Sequence, residues 1–173
     1  HRGKVVIQSF RCIDTPCRIE YIAQALTEKK QTITCAESCT GGLLAAALTS
    51  IPGSSAFFER SFVTYSNQAK KQLLNVTEET LRHYGAVSEE TVREMALGAL
   101  IAAKSDYALS ISGIAGPDGG TAEKPVGLVW FGFATKQRIW AKHYQFSGSR
   151  EEIRRQAVQY ALAIVEHYLK TNH

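Results

Sequence analysis

Residues 32–51 read TITCAESCTGGLLAAALTSI, and the order in which residue types follow one another there decides the fold. The short β-branched run TITCA, residues 32–36, predicts a buried strand. Gly41 to Ile51, rich in Ala and Leu and closed by Pro52-Gly53, predicts a helix. AESCTGG, Ala36 to Gly42, therefore occupies a strand-to-helix turn. The first amides of a helix lack intrahelical partners and, with the helix dipole, favour negative charge. Such a turn suits a phosphate or a developing oxyanion. Gly41 and Gly42 permit close backbone approach, and Ser38 stands where a nucleophile would be wanted, with Cys39 as its rival. A plainer reading stands beside it, in which Ser38 or Thr40 only caps the helix. The stretch is not a Walker A loop, because no Gly-Lys-Ser/Thr follows.

Outward from that turn, helices and strands alternate. Ile22, Ala23, Ala25 and Leu26 predict a first helix from Glu20, ended by Glu28-Lys29-Lys30. FVTYS (62–66) predicts a second strand, and Asn67 to Leu74 a helical turn or two carrying Lys70 and Lys71. Ser88 to Lys104 is the clearest helix: Val92, Met95, Ala96, Ala99, Leu100 and Ala103 form one apolar face, with Ser88 as N-cap. YALSISGIAGPDGG (107–120) predicts a strand entering a glycine-rich loop. Val126–Thr135 and Arg138–Phe146 read as two strands joined at Lys136-Gln137, a connection so short that one strand must be antiparallel. Ser149, with Glu152 three residues on, opens the last helix through a capping box. The alternation, unbroken by repeats or linkers, predicts a single domain over residues 1–173. Its fold class is α/β, a three-layer α/β/α sandwich around a mixed, mostly parallel sheet. Met95 is the only methionine, so residues 1 to about 18 are expected to be an irregular N-terminal extension or a cloning remnant.

Composition sets the frame. A chain of 173 residues buries roughly two-thirds of its unfolded surface and needs no disulfide or metal to fold. The formal net charge of +4, spread along the chain, is compatible with a phosphorylated ligand but supplies no nucleic-acid footprint. Cys12, Cys17, Cys35 and Cys39 form no CxxC pair and have no histidine at zinc-finger spacing, which predicts a reduced cytoplasmic protein. No apolar run approaches the ~18 residues of a membrane span. Neither a metal nor a cofactor is expected.

A serine hydroxyl needs a base. The histidines (His1, His83, His143, His167 and His173) make a poor set: two are terminal, His167 lies on the polar side of a helix, His83 falls in a loop and His143 in a strand. Lysine is the alternative, and a lysine base must be desolvated or placed near positive charge. Tyr65 ends a predicted strand and Lys70 follows five residues later, so both could reach one cleft; Lys70 and Lys71 could equally be solvated. SGIAGPDGG (112–120), at the end of a strand, is where open α/β sheets place ligands, although a plain surface loop reads the same way. Asp118 and Glu123 are too little for a metal site. Arg150, Arg154 and Arg155 at the head of the last helix oppose its dipole, which anion recognition or simple exposure would explain.

Together AESCTGG (36–42), PGSSAFFERSFVTYSNQAK (52–70), YGAVSEETV (84–92), SGIAGPDGG (112–120), KPVGLVWFG (124–132) and FSGSREEIR (146–154) resemble the CinA C-terminal domain family from about residue 20 to 168. Enzymatic members of that family are nicotinamide-nucleotide amidases. The resemblance implies hydrolysis of nicotinamide mononucleotide to nicotinate mononucleotide and ammonia, in pyridine nucleotide recycling. It implies Ser38 as nucleophile with Tyr65 and Lys70 assisting. The expected substrate-binding set is Glu37, Cys39, Thr40, Gly41 and Gly42 in the turn, Ser112, Gly113, Ala115 and Gly116 in the loop, and Arg150; many relatives carry threonine at the position of Ser112. The expected partner is this small molecule, with no nucleic acid and no membrane, in a homo-oligomer, a dimer first. A non-catalytic nucleotide-binding domain, or an interaction domain tied to competence and recombination, is the alternative.

Overall fold

The computed structural model describes residues 15–172. Its elements, in chain order, are α1 (Thr15–Glu28), β1 (Ile33–Glu37), α2 (Leu43–Leu48), β2 (Phe62–Val63), α3 (Asn67–Leu74), α4 (Glu78–Tyr84), α5 (Glu89–Ala103), β3 (Tyr107–Gly113), β4 (Leu128–Thr135), β5 (Ile139–Gln145) and α6 (Arg150–Thr171). The strands form one sheet in the order β2-β1-β3-β4-β5. β1 pairs in parallel with β2 and β3, while β4 runs antiparallel to both β3 and β5. Four strands therefore share one direction and β4 alone is reversed, so the sheet is mixed and mostly parallel, as expected.

Strand alternation divides the core between two helical layers. Ile33, Cys35, Leu109 and Ile111 pack with Ile22 and Leu26 of α1, Leu44 and Leu48 of α2 and the apolar stripe of α6. Ala36, Ala108 and Ala134, on the opposite face, meet Val92, Met95, Ala96 and Ala99 of α5, along with Leu74 of α3 and Leu81 of α4. Every residue of β1 is buried, which is why TITCA reads as a continuous apolar-tolerant run rather than an alternation. Because α3 rests on α5, α5 fixes the position of α3. Gly98 makes that contact possible: a Cβ there would lie 1.9 Å from the Leu74 carbonyl oxygen.

The predicted N-caps are found at Ser88 and Ser149, the latter in a complete capping box. Four expectations need correction. β2 stops at Val63: the Thr64 amide makes the last ladder bond, to the Glu37 carbonyl, and the chain then turns into α3, which Ser66 caps. α2 begins at Leu43 rather than Gly41, since Gly41 and Gly42 are left-handed, with φ of 57° and 111°. A helix unread in the sequence, α4, holds His83 in its last turn, so that histidine is not in a loop. Finally, α1 begins at Thr15, with Arg18 and Ile19 buried, so residues 15–18 are not irregular; residues 1–14 of the expected extension lie outside the described residues. Among the described residues, no helix is long and apolar enough to cross a membrane.

Candidate active site

The turn between β1 and α2 is organised by Glu37, the last residue of β1, whose side chain is wholly buried. Its carboxylate accepts hydrogen bonds from the Thr40 hydroxyl (2.5 Å) and from the backbone N–H groups of Gly42 (3.2 Å), Leu44 (2.9 Å) and Ala45 (2.9 Å). A carboxylate on the free amides of a helix start is favourable through charge-assisted hydrogen bonds and the dipole. No hydroxyl caps α2: Gly42 is its N-cap, without a side-chain bond. The expectation that the opening amides of α2 serve a ligand is thus corrected, because an internal carboxylate occupies them. Within the turn the Gly41 N–H donates to the Ser38 carbonyl (3.1 Å). The N–H groups of Cys39 and Thr40 carry no such bond among the described residues.

Ser38 meets its partner from across the sheet edge. Lys70, on α3, is 1% exposed, and its Nζ donates to Ser38 Oγ (3.0 Å) and to the Thr64 carbonyl (2.9 Å). Burial penalises the ammonium form and lowers the pKa of Lys70 to about 8, against a smaller opposing pull from Cys39. The Thr64 tether fixes the amine, so its lone pair, when neutral, is left for the serine. Lys71, one residue on, points away to Glu78 (2.6 Å). Cys39, the rival nucleophile, has its pKa raised by burial to about 11, which keeps it a thiol at neutral pH and a poor attacking group.

Ser38 and Cys39 open onto a cavity of about 260 Å³ at the carboxyl ends of β1 and β3, floored by Gly113, Ala115, Gly116 and Gly119 and edged by Tyr65, Asp118 and Arg150. The loop carries a cis Gly116-Pro117 bond. Arg150, the first residue of α6, donates to the Gly116 carbonyl (2.7 Å) and to the Tyr65 hydroxyl (3.0 Å). Tyr65 is 60% exposed and stands at the mouth of the cavity rather than between Ser38 and Lys70. Ser38 and Lys70 meet directly, without Tyr65 between them. Among the described residues no histidine lines the cavity; His143 lies against Trp130, with ring centroids 4.5 Å apart at a 40° tilt.

Of the expected binding residues, the cavity gathers Cys39, Gly113, Ala115, Gly116 and Arg150. Glu37, Thr40, Gly41 and Gly42 shape its wall from behind. Ser112 is 1% exposed and absent from the lining, because strand alternation places it with Ser110 on the α5 face, where Ser110 donates to the Val92 carbonyl (2.6 Å). Two contributors were not legible. The Thr64 carbonyl carries no side-chain signature. Arg154 donates from Nε to the Cys39 carbonyl (3.0 Å) and from Nη2 to that of Thr40 (3.4 Å); only its cost to the helix dipole hinted at a task.

A family model described as the CinA C-terminal domain matches residues 18–169. Over 142 residues the chain is 63% identical to nicotinamide-nucleotide amidohydrolase PncC of Enterobacter agglomerans, covering 82% of this chain and 87% of that protein. Over 144 residues it is 60% identical to PncC of Escherichia coli K12, covering 83% and 87%. A CinA-like protein of Endomicrobium trichonymphae is 48% identical over 99% of this chain but only 40% of its own length. Among solved structures, a CinA-superfamily protein of Klebsiella pneumoniae 700603 superposes with a TM-score of 0.88 at 40% identity, covering 92% of this chain and 99% of that one. The competence/damage-inducible protein CihA of Agrobacterium tumefaciens gives a TM-score of 0.87 at 42% identity, covering 93% and 97%.

Proposed function

The chain belongs to the CinA C-terminal domain family, and from that premise we propose that it is a nicotinamide-nucleotide amidase, converting nicotinamide mononucleotide to nicotinate mononucleotide and ammonia, a step of pyridine nucleotide recycling. Relatives at 60–63% identity that carry this activity in their names support the substrate. The observation that carries the chemistry is the buried Lys70 amine 3.0 Å from Ser38 Oγ.

In this reading Ser38 Oγ attacks the carboxamide carbon while neutral Lys70 takes its proton. The backbone N–H of Cys39, the turn residue that lines the cavity beside Ser38, receives the oxyanion. As the tetrahedral intermediate collapses, the C–N bond breaks and the Lys70 ammonium returns a proton to the departing nitrogen, releasing ammonia. Water, deprotonated by the same amine, then cleaves the acyl-enzyme to the acid. Arg150 holds the phosphate, with Tyr65 beside it at the cavity mouth, and the Gly113–Gly119 backbone holds the ribose.

Ammonia release from nicotinamide mononucleotide tests this. Ser38→Ala and Lys70→Ala are each expected to lose on the order of 10⁴-fold or more in kcat, as for other nucleophile and base deletions. Turnover that survived in Ser38→Ala but vanished in Cys39→Ser would assign the nucleophile to the thiol.

A further inference from the structure

The cavity beside Ser38 carries one charge of each sign on its lining side chains, and the two do not neutralise one another. Asp118 is the lining carboxylate and Arg150 the lining guanidinium; the other side chains there are a hydroxyl, a thiol, a phenol and small or apolar groups. Lys70 lies behind Ser38, 1% exposed, and is not part of the lining. The Arg150 guanidinium is bound to neutral partners, the Gly116 carbonyl at 2.7 Å and the Tyr65 hydroxyl at 3.0 Å. Asp118 is exposed on the same loop as Gly116 and has neither an ion pair nor a side-chain hydrogen bond among the described residues. Both charges are therefore available to a ligand. A molecule filling about 260 Å³ lies within a Debye length of every charge on the lining. The pattern fits a molecule that carries a cation and an anion at separate places.

We propose that Asp118 is a specificity-determining residue whose carboxylate selects the positively charged pyridinium ring of the substrate. The proposal rests on the nicotinamide mononucleotide reading above and adds to it the recognition of ring charge. In nicotinamide mononucleotide the glycosidic nitrogen makes the ring a cation, and the phosphate is an anion. With the carboxamide at Ser38, the ring lies within the cavity, because the two are parts of one small planar group. The phosphate reaches Arg150 at the mouth. That leaves the ring cation as the one charged group of the substrate without a lining residue, and Asp118 as the one lining charge without a substrate group. The match also separates substrate from product. Nicotinate carries a carboxylate on the same ring, so its ring unit is neutral overall and loses most of the attraction. Asp118 thereby favours the amide over the acid and limits product inhibition. Because the ring keeps its charge from bound substrate to tetrahedral intermediate, the attraction is common to both and belongs to KM rather than kcat.

The test uses the whole chain in a charge series at one position: Asp118→Glu, Asp118→Ser and Asp118→Lys. For each, kcat and KM for nicotinamide mononucleotide come from ammonia release, and the folded fraction from circular dichroism. Two competitive inhibitors complete the comparison. One is nicotinate mononucleotide; the other is benzamide riboside 5′-monophosphate, which keeps the carboxamide, ribose and phosphate on a neutral ring. D118S is expected to lower kcat/KM for nicotinamide mononucleotide about tenfold, the scale of one charge pair in a wet cavity. D118K should lower it about 100-fold, with kcat within about threefold in each, and D118E should stay within about threefold of wild type. Inhibition of D118S by the neutral-ring analogue and by the product should change less than about threefold, because neither presents a net ring cation. Equal weakening of nicotinamide mononucleotide and the neutral-ring analogue would overturn the proposal and make Asp118 a ribose contact. A D118S kcat/KM within about threefold of wild type, or a loss confined to kcat at unchanged KM, would each refute it as well. Should one variant fail to fold, the remaining members of the series decide by the same comparison. Wild type separates the two readings: if it releases no ammonia from nicotinamide mononucleotide, the substrate reading fails, whereas an active wild type with a flat charge series refutes only the role of Asp118.

Discussion

Lys70 belongs to a residue type almost never fully buried unless paired, yet it is 1% exposed and its neighbours are a hydroxyl and a carbonyl rather than a carboxylate. Desolvation therefore outweighs the opposing pull of Cys39, and it brings the pKa to about 8. The neutral amine is the base, so kcat/KM for ammonia release is expected to climb with pH through a midpoint near 8 and level off above it; a profile flat from pH 6.5 to 9.5 would exclude Lys70. The same shift bears on stability. The unfolded chain keeps its lysine protonated to about 10.4, so between roughly pH 8 and 10.4 it binds more protons than the folded chain, and stability attributable to Lys70 rises with pH across that window. Below pH 8 the burden is constant, on the order of 3 kcal/mol. Lys70→Met should accordingly melt above wild type at pH 7, with the gap closing toward pH 10. An inactive variant that is more stable marks strain kept for chemistry.

At the scale of elements, the site depends on where α3 sits, and α3 is seated by α5. The Leu74 carbonyl at the end of α3 presses on Gly98, where any Cβ would overlap it at 1.9 Å. Gly98→Ala should therefore displace α3 and carry the Lys70 amine off Ser38, one turn from the contact. The expected result is a loss of about 1–3 kcal/mol in urea unfolding, the usual range for overpacking, together with a fall in kcat larger than the folded fraction explains. Unchanged turnover in Gly98→Ala would show that α3 is positioned by something else. Element ends were legible where a side chain does the capping: Ser88 and Ser149 announced their helices. The start of α2 was not, because its cap is the carboxylate of Glu37, which precedes the helix by six residues and reaches back through the fold.

For the molecule as a whole, the sheet joins two cores that share no buried side chain among the described residues. Trp130 packs with the α5 core and Trp140 with the α1–α2–α6 core, and these are the only two tryptophans in the chain. If the sheet couples both layers into one cooperative unit, the single-tryptophan variants Trp130→Phe and Trp140→Phe should each show fluorescence transitions in urea that coincide with circular dichroism. Separated midpoints within either variant would mean that the helical layers come apart independently. Cooperativity matters for function, because Ser38 and Arg154 belong to one layer's connections while Lys70 belongs to the other's.

What the sequence determined by itself was local or periodic: the strand–turn–helix around AESCTGG, the capped helices, the hairpin that forces a reversed strand, and the absence of a usable histidine. These follow from propensities and spacings that act over a few residues. Tertiary structure alone decided which lysine meets Ser38, that Tyr65 stands with Arg150 at the cavity mouth, that Ser112 turns into the core, and that Glu37 and Arg154 hold the turn from opposite sides. The partners in those contacts, Ser38 with Lys70 and Arg154 with Cys39, are separated by 32 and 115 residues. Packing of α3 on α5 and of α6 beside α2 brings them together, and no pattern within one segment encodes which side chain will arrive.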